Sequence, residues 1–141
     1  MRAFLAIAAV LAAIITTAPA AAQTGPVNAS AAPATGTAQR RAILDALRPA
    51  VERRLGPGVE FVVTQMRVRS GWAFVMADPQ RRGGRPIDGR RYFGEDFDNM
   101  DGLTVTALLR FNRGWTLVDH AIGATDAWYC DGGPSRVVTG C

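Results

Sequence analysis

Lysine does not occur anywhere in the chain, and all 16 of its basic residues are arginine. So uniform a choice most simply reflects a GC-rich coding bias, which excludes reading every arginine as a ligand contact. Histidine is nearly as scarce, since His120 stands alone, and cysteine appears only at Cys130 and Cys141. Two isolated thiolates lack the further ligands that a zinc site requires. Long apolar runs are also missing, because Ala3 to Ile15 is too short to span a bilayer without its flanks. No internal repeat is visible, so the chain beyond that run is read as one unit.

What is present at the start of the sequence reads as a leader. Met1 and Arg2 give a positive start to the apolar run, Pro19 breaks it, and Ala20 and Ala22 supply the small residues a signal peptidase inspects. Residues 1–22 are expected to be a signal peptide, cleaved before Gln23. Residues 23–38 are mostly Ala, Thr, Pro, Gly and Ser with no charged side chain, a composition that reads as a flexible tether. Residues 39–141 remain, roughly 100 residues, which is a usual size for one domain with its own core. Loss of Arg2 with the leader leaves a net charge of about +3, suited to solubility and weak attraction to anionic surfaces. An exported chain meets an oxidising compartment, so Cys130 and Cys141 are expected to pair and close the C-terminal tail. The expected location is periplasmic or secreted, with no stable membrane insertion after cleavage.

From Gln39 to Leu55 the residues Ile43, Leu44, Leu47, Val51 and Leu55 recur at helical spacing, which predicts one amphipathic helix. Pro49 falls inside it and predicts a kink near Asp45, and Gly56-Pro57 ends it. Val59 to Arg69 and Trp72 to Ala77 are β-prone runs joined at Ser70-Gly71, and Leu103 to Phe111 alternates before Arg113-Gly114 turns it into Trp115 to Ile122. One helix and two hairpins predict an α+β, two-layer domain: a kinked N-terminal helix packed on a four-stranded antiparallel sheet.

That order of elements, from Gln39 to about Trp128, resembles the cystatin-like and nuclear-transport-factor-like folds, whose helix lies in the curve of an antiparallel sheet. The segments Ile43-Leu44-Asp45-Ala46-Leu47-Arg48 and Ile122-Gly123-Ala124-Thr125-Asp126 are also similar to those of short exported bacterial proteins of unassigned function. These resemblances imply a fold and a family but no activity, because such folds carry catalysts, inhibitors and binding modules alike.

Three places offer chemistry. The connection from Asp78 to Gly102 is long, with Arg81, Arg82, Arg85, Arg90 and Arg91 preceding Glu95, Asp96, Asp98 and Asp101. Either the two halves neutralise each other as a solvated flap, or Arg90 and Arg91 beside Tyr92 and Phe93 engage an anionic partner. Its carboxylates depart from calcium-loop spacing and no glutamate closes them, so no metal or cofactor is expected. Secondly, a two-residue turn at Ser70-Gly71 sets Arg69 opposite Trp72 and Arg67 opposite Phe74, while Val62, Met66, Val68, Ala73 and Val75 face the helix. With Trp115 of the fourth strand, this outer face gathers arginine and aromatic side chains suited to binding. Thirdly, His120 follows Asp119, but neighbours on a strand point to opposite faces and cannot form a dyad directly. A turn at Arg113-Gly114 would put Trp115, Leu117 and Asp119 outside and Thr116, Val118, His120 and Ile122 inside. Asp126 is the better partner for His120 if the chain turns back at Gly123, and a structural hydrogen-bonded histidine is the other reading. No convincing nucleophile is visible, since Ser70 sits in a tight turn without a nucleophile-elbow pattern.

The expectation is an exported, non-catalytic module that binds a protein, a cell-wall component or a small ligand through its sheet face and long loop. Its mild charge and export argue against nucleic acid. The alternative is a small enzyme or small-ligand binder of the nuclear-transport-factor-like type, using His120, Asp119 or Asp126 as acid or base in a pocket between helix and sheet. A filled interface favours the first, and an open pocket reached by those side chains favours the second.

Overall fold

The computed structural model describes residues 32–131, 133 and 136–141. The expected signal peptide and most of the tether lie outside them. Within them Thr37 caps the first helix, its hydroxyl oxygen accepting the Arg40 main-chain N–H at 3.3 Å and donating to the Ala34 carbonyl at 2.9 Å. That satisfies one of the amides a helix start leaves free. Helix α1 runs from Ala38 to Leu55 and buries Ile43, Leu47, Ala50, Val51 and Leu55. Pro49 removes one backbone hydrogen bond without ending it. Gly56 does end it, with a φ of 77° that only glycine adopts without strain.

Four antiparallel strands follow: β1 (Val59–Arg69), β2 (Trp72–Arg81), β3 (Val105–Phe111) and β4 (Trp115–Ile122), ordered β1-β2-β3-β4. Helix α1 packs against the sheet, so the arrangement is α+β, with the main core between Ile43, Leu47, Val51 and Leu55 and the inner residues Ala73, Val75, Val105, Ala107 and Leu109. The β1–β2 turn is the expected two-residue one, Ser70 and Gly71 having φ values of 49° and 74°.

Both edge strands carry a bulge, and each shifts the faces away from the simple alternation. In β1 the register slips between Val63 and Gln65. Phe61 and Val63 therefore join Met66 and Val68 on the inner face, while Val62, expected inside, is 48 % exposed. In β4 the slip falls at Val118, between the pairs Leu109–Leu117 and Leu108–Asp119. The β3–β4 turn is also one residue longer than expected, because Phe111 pairs with Trp115 across Asn112, Arg113 and Gly114. Trp115 and Leu117 consequently pack toward the helix side, correcting their expected outer placement.

The segment for which a solvated flap was one reading is partly packed on the core. Strand β2 continues to Arg81 by pairing with β1 alone, which tolerates Pro79 because β3 has already stopped opposite Ala77. The chain then forms a one-turn helix α2 (Arg90–Phe93) and a 3-10 turn at Gly94–Asn99, and Ile87, Tyr92 and Phe93 pack on the core. Their aromatic rings had been read as surface groups, whereas burial of that area holds the segment down.

Arg81 joins three elements. It continues the inner alternation of Ala73, Val75, Ala77 and Pro79, which carries its guanidinium to the end of α1. There it donates to the carbonyls of Leu55, Gly56 (3.1 Å) and Pro57 (2.8 Å) and to the Tyr92 hydroxyl (2.8 Å). The Leu55 carbonyl is one of those a helix end leaves without partners, and the other two belong to the residues that lead the chain out of α1. Arg81→Met is expected to lower stability by about 2 kcal/mol, the range for hydrogen bonds to a charged group. A urea midpoint shift at constant m-value measures it, and a loss under about 0.5 kcal/mol would show water substituting freely.

Past β4 the chain crosses Gly102 at Gly123, where a Cβ would lie 2.5 Å from the Gly102 carbonyl oxygen. It then runs onto the outer face of the sheet. Trp128 donates its indole N–H to the Thr106 hydroxyl at 2.8 Å, and Trp128, Tyr129 and Val138 of the short helix α3 (Arg136–Thr139) cover Phe74 and Leu108. Cys130 and Cys141 are disulfide-bonded with Cα atoms 5.6 Å apart, which fits an oxidising compartment. Among the described residues no helix is long and apolar enough to cross a membrane.

Candidate functional site

The outer face is less available than its residues suggest. Phe74 is 1 % exposed, its ring 4.7 Å from that of Tyr129, so it belongs to a second small core and not to a free surface. Arg67 donates to the Thr139 carbonyl at 2.6 Å, tying the tail down. Trp72 lies beneath the Arg110 guanidinium at 4.9 Å, leaving Arg69 exposed beside them. Trp115 is on the opposite side, edge-on to Phe111 at 5.3 Å. In the connecting segment Arg90 pairs with Asp98, Arg91 lies 5.9 Å over Tyr92, and the Tyr92 hydroxyl is held by Arg81. The expected arginine-aromatic candidates are thus spread over both faces and largely engaged with one another.

A groove opens instead at the edge of the inner layer, where the last turns of α1 cross β4. Its volume is about 330 Å³, and Ala50, Arg53 and Arg54 of α1, Phe93 of α2, and His120 and Ile122 of β4 line it. Helical spacing brings Ala50 and Arg54 onto the stripe begun by Ile43 and Leu47, so a short side chain and then a long charged one follow two large apolar ones. The short one leaves room, and Arg54 reaches across the opening to lie 5.1 Å over the Phe93 ring. The groove therefore has an apolar floor and a basic rim.

His120 is the only one of the three acid-base candidates that lines it. Paired with Ala107, it faces inward, whereas Asp119 pairs with Leu108 and faces out. The Asp119 carboxylate accepts the main-chain N–H of His120 at 2.7 Å, so the hydrogen bond between them does not involve the ring. Asp126 is exposed and does not line the groove, because the chain beyond Gly123 departs toward the outer face. Burial of the imidazole lowers its pKa below the ordinary 6.5; the neighbouring Asp119 opposes this and Arg53 adds to it. The fold thus favours neutral His120. Its contribution is complete above the ordinary value and is lost as pH falls through it, where the unfolded chain takes up a proton that the folded ring resists. His120→Gln should accordingly flatten the decline in stability between about pH 7.5 and pH 5. Denaturation midpoints of both proteins across that interval check it, and parallel profiles would show that the ring is not desolvated.

Arg53, Arg54 and Ile122 were not singled out in the sequence as site residues, Phe93 was noticed only as a neighbour of Arg90 and Arg91, and Ala50 was not counted in the helix stripe. The signal that could have found them is the Ile43, Leu47, Ala50, Arg54 succession, in which an apolar stripe ends in a small and then a charged residue. Among the described residues no group of three or more His, Cys, Asp or Glu is placed to hold a metal ion. No family model, curated protein or solved structure matches this chain.

Proposed function

We propose that the protein is an exported, non-catalytic binding module that holds a small ligand in the groove between α1 and β4. The observation carrying this reading is the composition of the lining: an apolar floor, one histidine and two arginines, with no carboxylate and no hydroxyl or thiol nucleophile. Acid-base catalysis by a lone imidazole lacks both a partner to orient the ring and a group to attack the substrate. A volume near the lower end of ligand pockets suits a small molecule better than a protein segment. Export is supported by the signal-like leader sequence and by the disulfide. The open groove reached by His120 favours the small-ligand half of the alternative reading over binding through the sheet face, much of which is covered.

Because His120 is the only histidine, its ring protons give one reporter inside the groove. Titrating the exported protein with a panel of small organic acids, amides and sugars should move that signal saturably for some members, and each should be recovered chemically unchanged. Conversion of a saturating compound into product, lost in His120→Gln, would overturn the non-catalytic reading.

A further inference from the structure

We propose that the groove selects a small organic anion with an apolar body, its charge held by Arg53 and Arg54 and its body resting on Phe93, Ala50 and Ile122. This rests on the reading of the groove as a ligand site and adds the chemical class.

The argument begins with how the arginines of α1 are used. Arg40 donates to the Pro33 carbonyl, Arg41 to that of Gly36, and Arg48 to Asp45 and the Val59 carbonyl. Arg53 and Arg54 have no ion pair or side-chain hydrogen bond among the described residues. Neighbouring acids do not supply one. Glu52 accepts the main-chain N–H groups of Gly58 and Val59 at 2.9 and 3.0 Å, and Asp119 accepts that of His120 on the outer side. The negative end of the helix dipole explains basic residues in a last turn in general. Here, however, Arg81 already donates to the last helix carbonyl, that of Leu55, and Arg53 and Arg54 line the groove with no carboxylate among its lining residues.

Geometry narrows the class. The Arg54 guanidinium lies 5.1 Å over the Phe93 ring, which places its charge beside the apolar floor, and a guanidinium pairs best with a carboxylate-like or sulfonate-like group. Neutral His120 adds one hydrogen-bond donor or acceptor without charge. The apolar floor desolvates a hydrocarbon body beside these groups, which an inorganic anion would leave unused.

Naphthalene-2-sulfonate, ionised throughout the working pH range, and the neutral N-methylnaphthalene-2-sulfonamide provide the test. At low salt the sulfonate should bind about tenfold or more tightly than the sulfonamide and should shift the His120 ring signals. Added salt should narrow the gap. In a protein carrying Arg53→Gln and Arg54→Gln, two exposed positions, the preference should fall to about twofold or less. Equal affinities for both compounds in the unsubstituted protein, with His120 shifted by each, would retain the groove as a ligand site and overturn the anionic class. If neither compound moves the His120 signals, the groove reading is overturned together with it.

Discussion

Replacing Phe74 by alanine is expected to cost the domain about 3–5 kcal/mol, the range for removing a buried aromatic ring. The ring is sealed between Leu108 and the covering residues Tyr129 and Val138, so its removal leaves a cavity on the outer face and loosens the cover. In a domain of this size such a loss takes a large share of the total stability. Chemical denaturation measures it, and limited proteolysis should show cleavage after Gly123 appearing before any other new cut. A cost under about 1 kcal/mol would mean that the ring faces solvent, as the strand alternation alone suggests.

Conversion of Cys130 and Cys141 together to serine is expected to cost about 3 kcal/mol, the loop-closure figure for a short loop, with the helix and sheet still formed. The cover has other attachments, the Trp128–Thr106 and Arg67–Thr139 hydrogen bonds, and the main core on the other face does not involve the tail. Circular dichroism should therefore retain its native form while the denaturation midpoint falls. Complete unfolding of the variant at room temperature would show that the outer core is a condition of the fold and not an addition to it.

The elements of the fold could be read from sequence because periodicity reports them directly: the stripe from Ile43 to Leu55 buries one face of α1, and the alternate residues Val105, Ala107 and Leu109 enter the same core. Which face a given side chain occupies was less legible. In β4, the three-residue turn reversed the expected placement of Trp115 and Leu117, and the bulge at Val118 then restored it for Asp119 and His120. The latter pair was correctly divided between faces by two offsetting shifts, neither visible in residue type. The bulge at Thr64 had no compensating shift before it, and Val62 ended outside. Bulges respond to sheet curvature and edge position, which are properties of the assembled sheet.

The candidate site was legible only at His120. Arginine and aromatic residues were noticed where they cluster in sequence, at Arg90 to Tyr92 and across the first hairpin, but such clusters largely satisfy themselves by stacking and pairing. The groove draws single residues from α1, α2 and β4, whose convergence depends on how the helix crosses the edge strand. Phe93 enters it only because the segment from Arg82 to Gly102 folds down onto the core, which its charge and length conceal.

Hydrogen exchange of the exported protein, with and without a saturating small ligand, tests the account most directly. The groove predicts added protection in 50–54, 92–94 and 119–122, the stretches that α1, α2 and β4 contribute. Protection concentrated instead in 67–76 and 128–139 would place the ligand on the outer face beneath the disulfide-closed cover, and would contradict it.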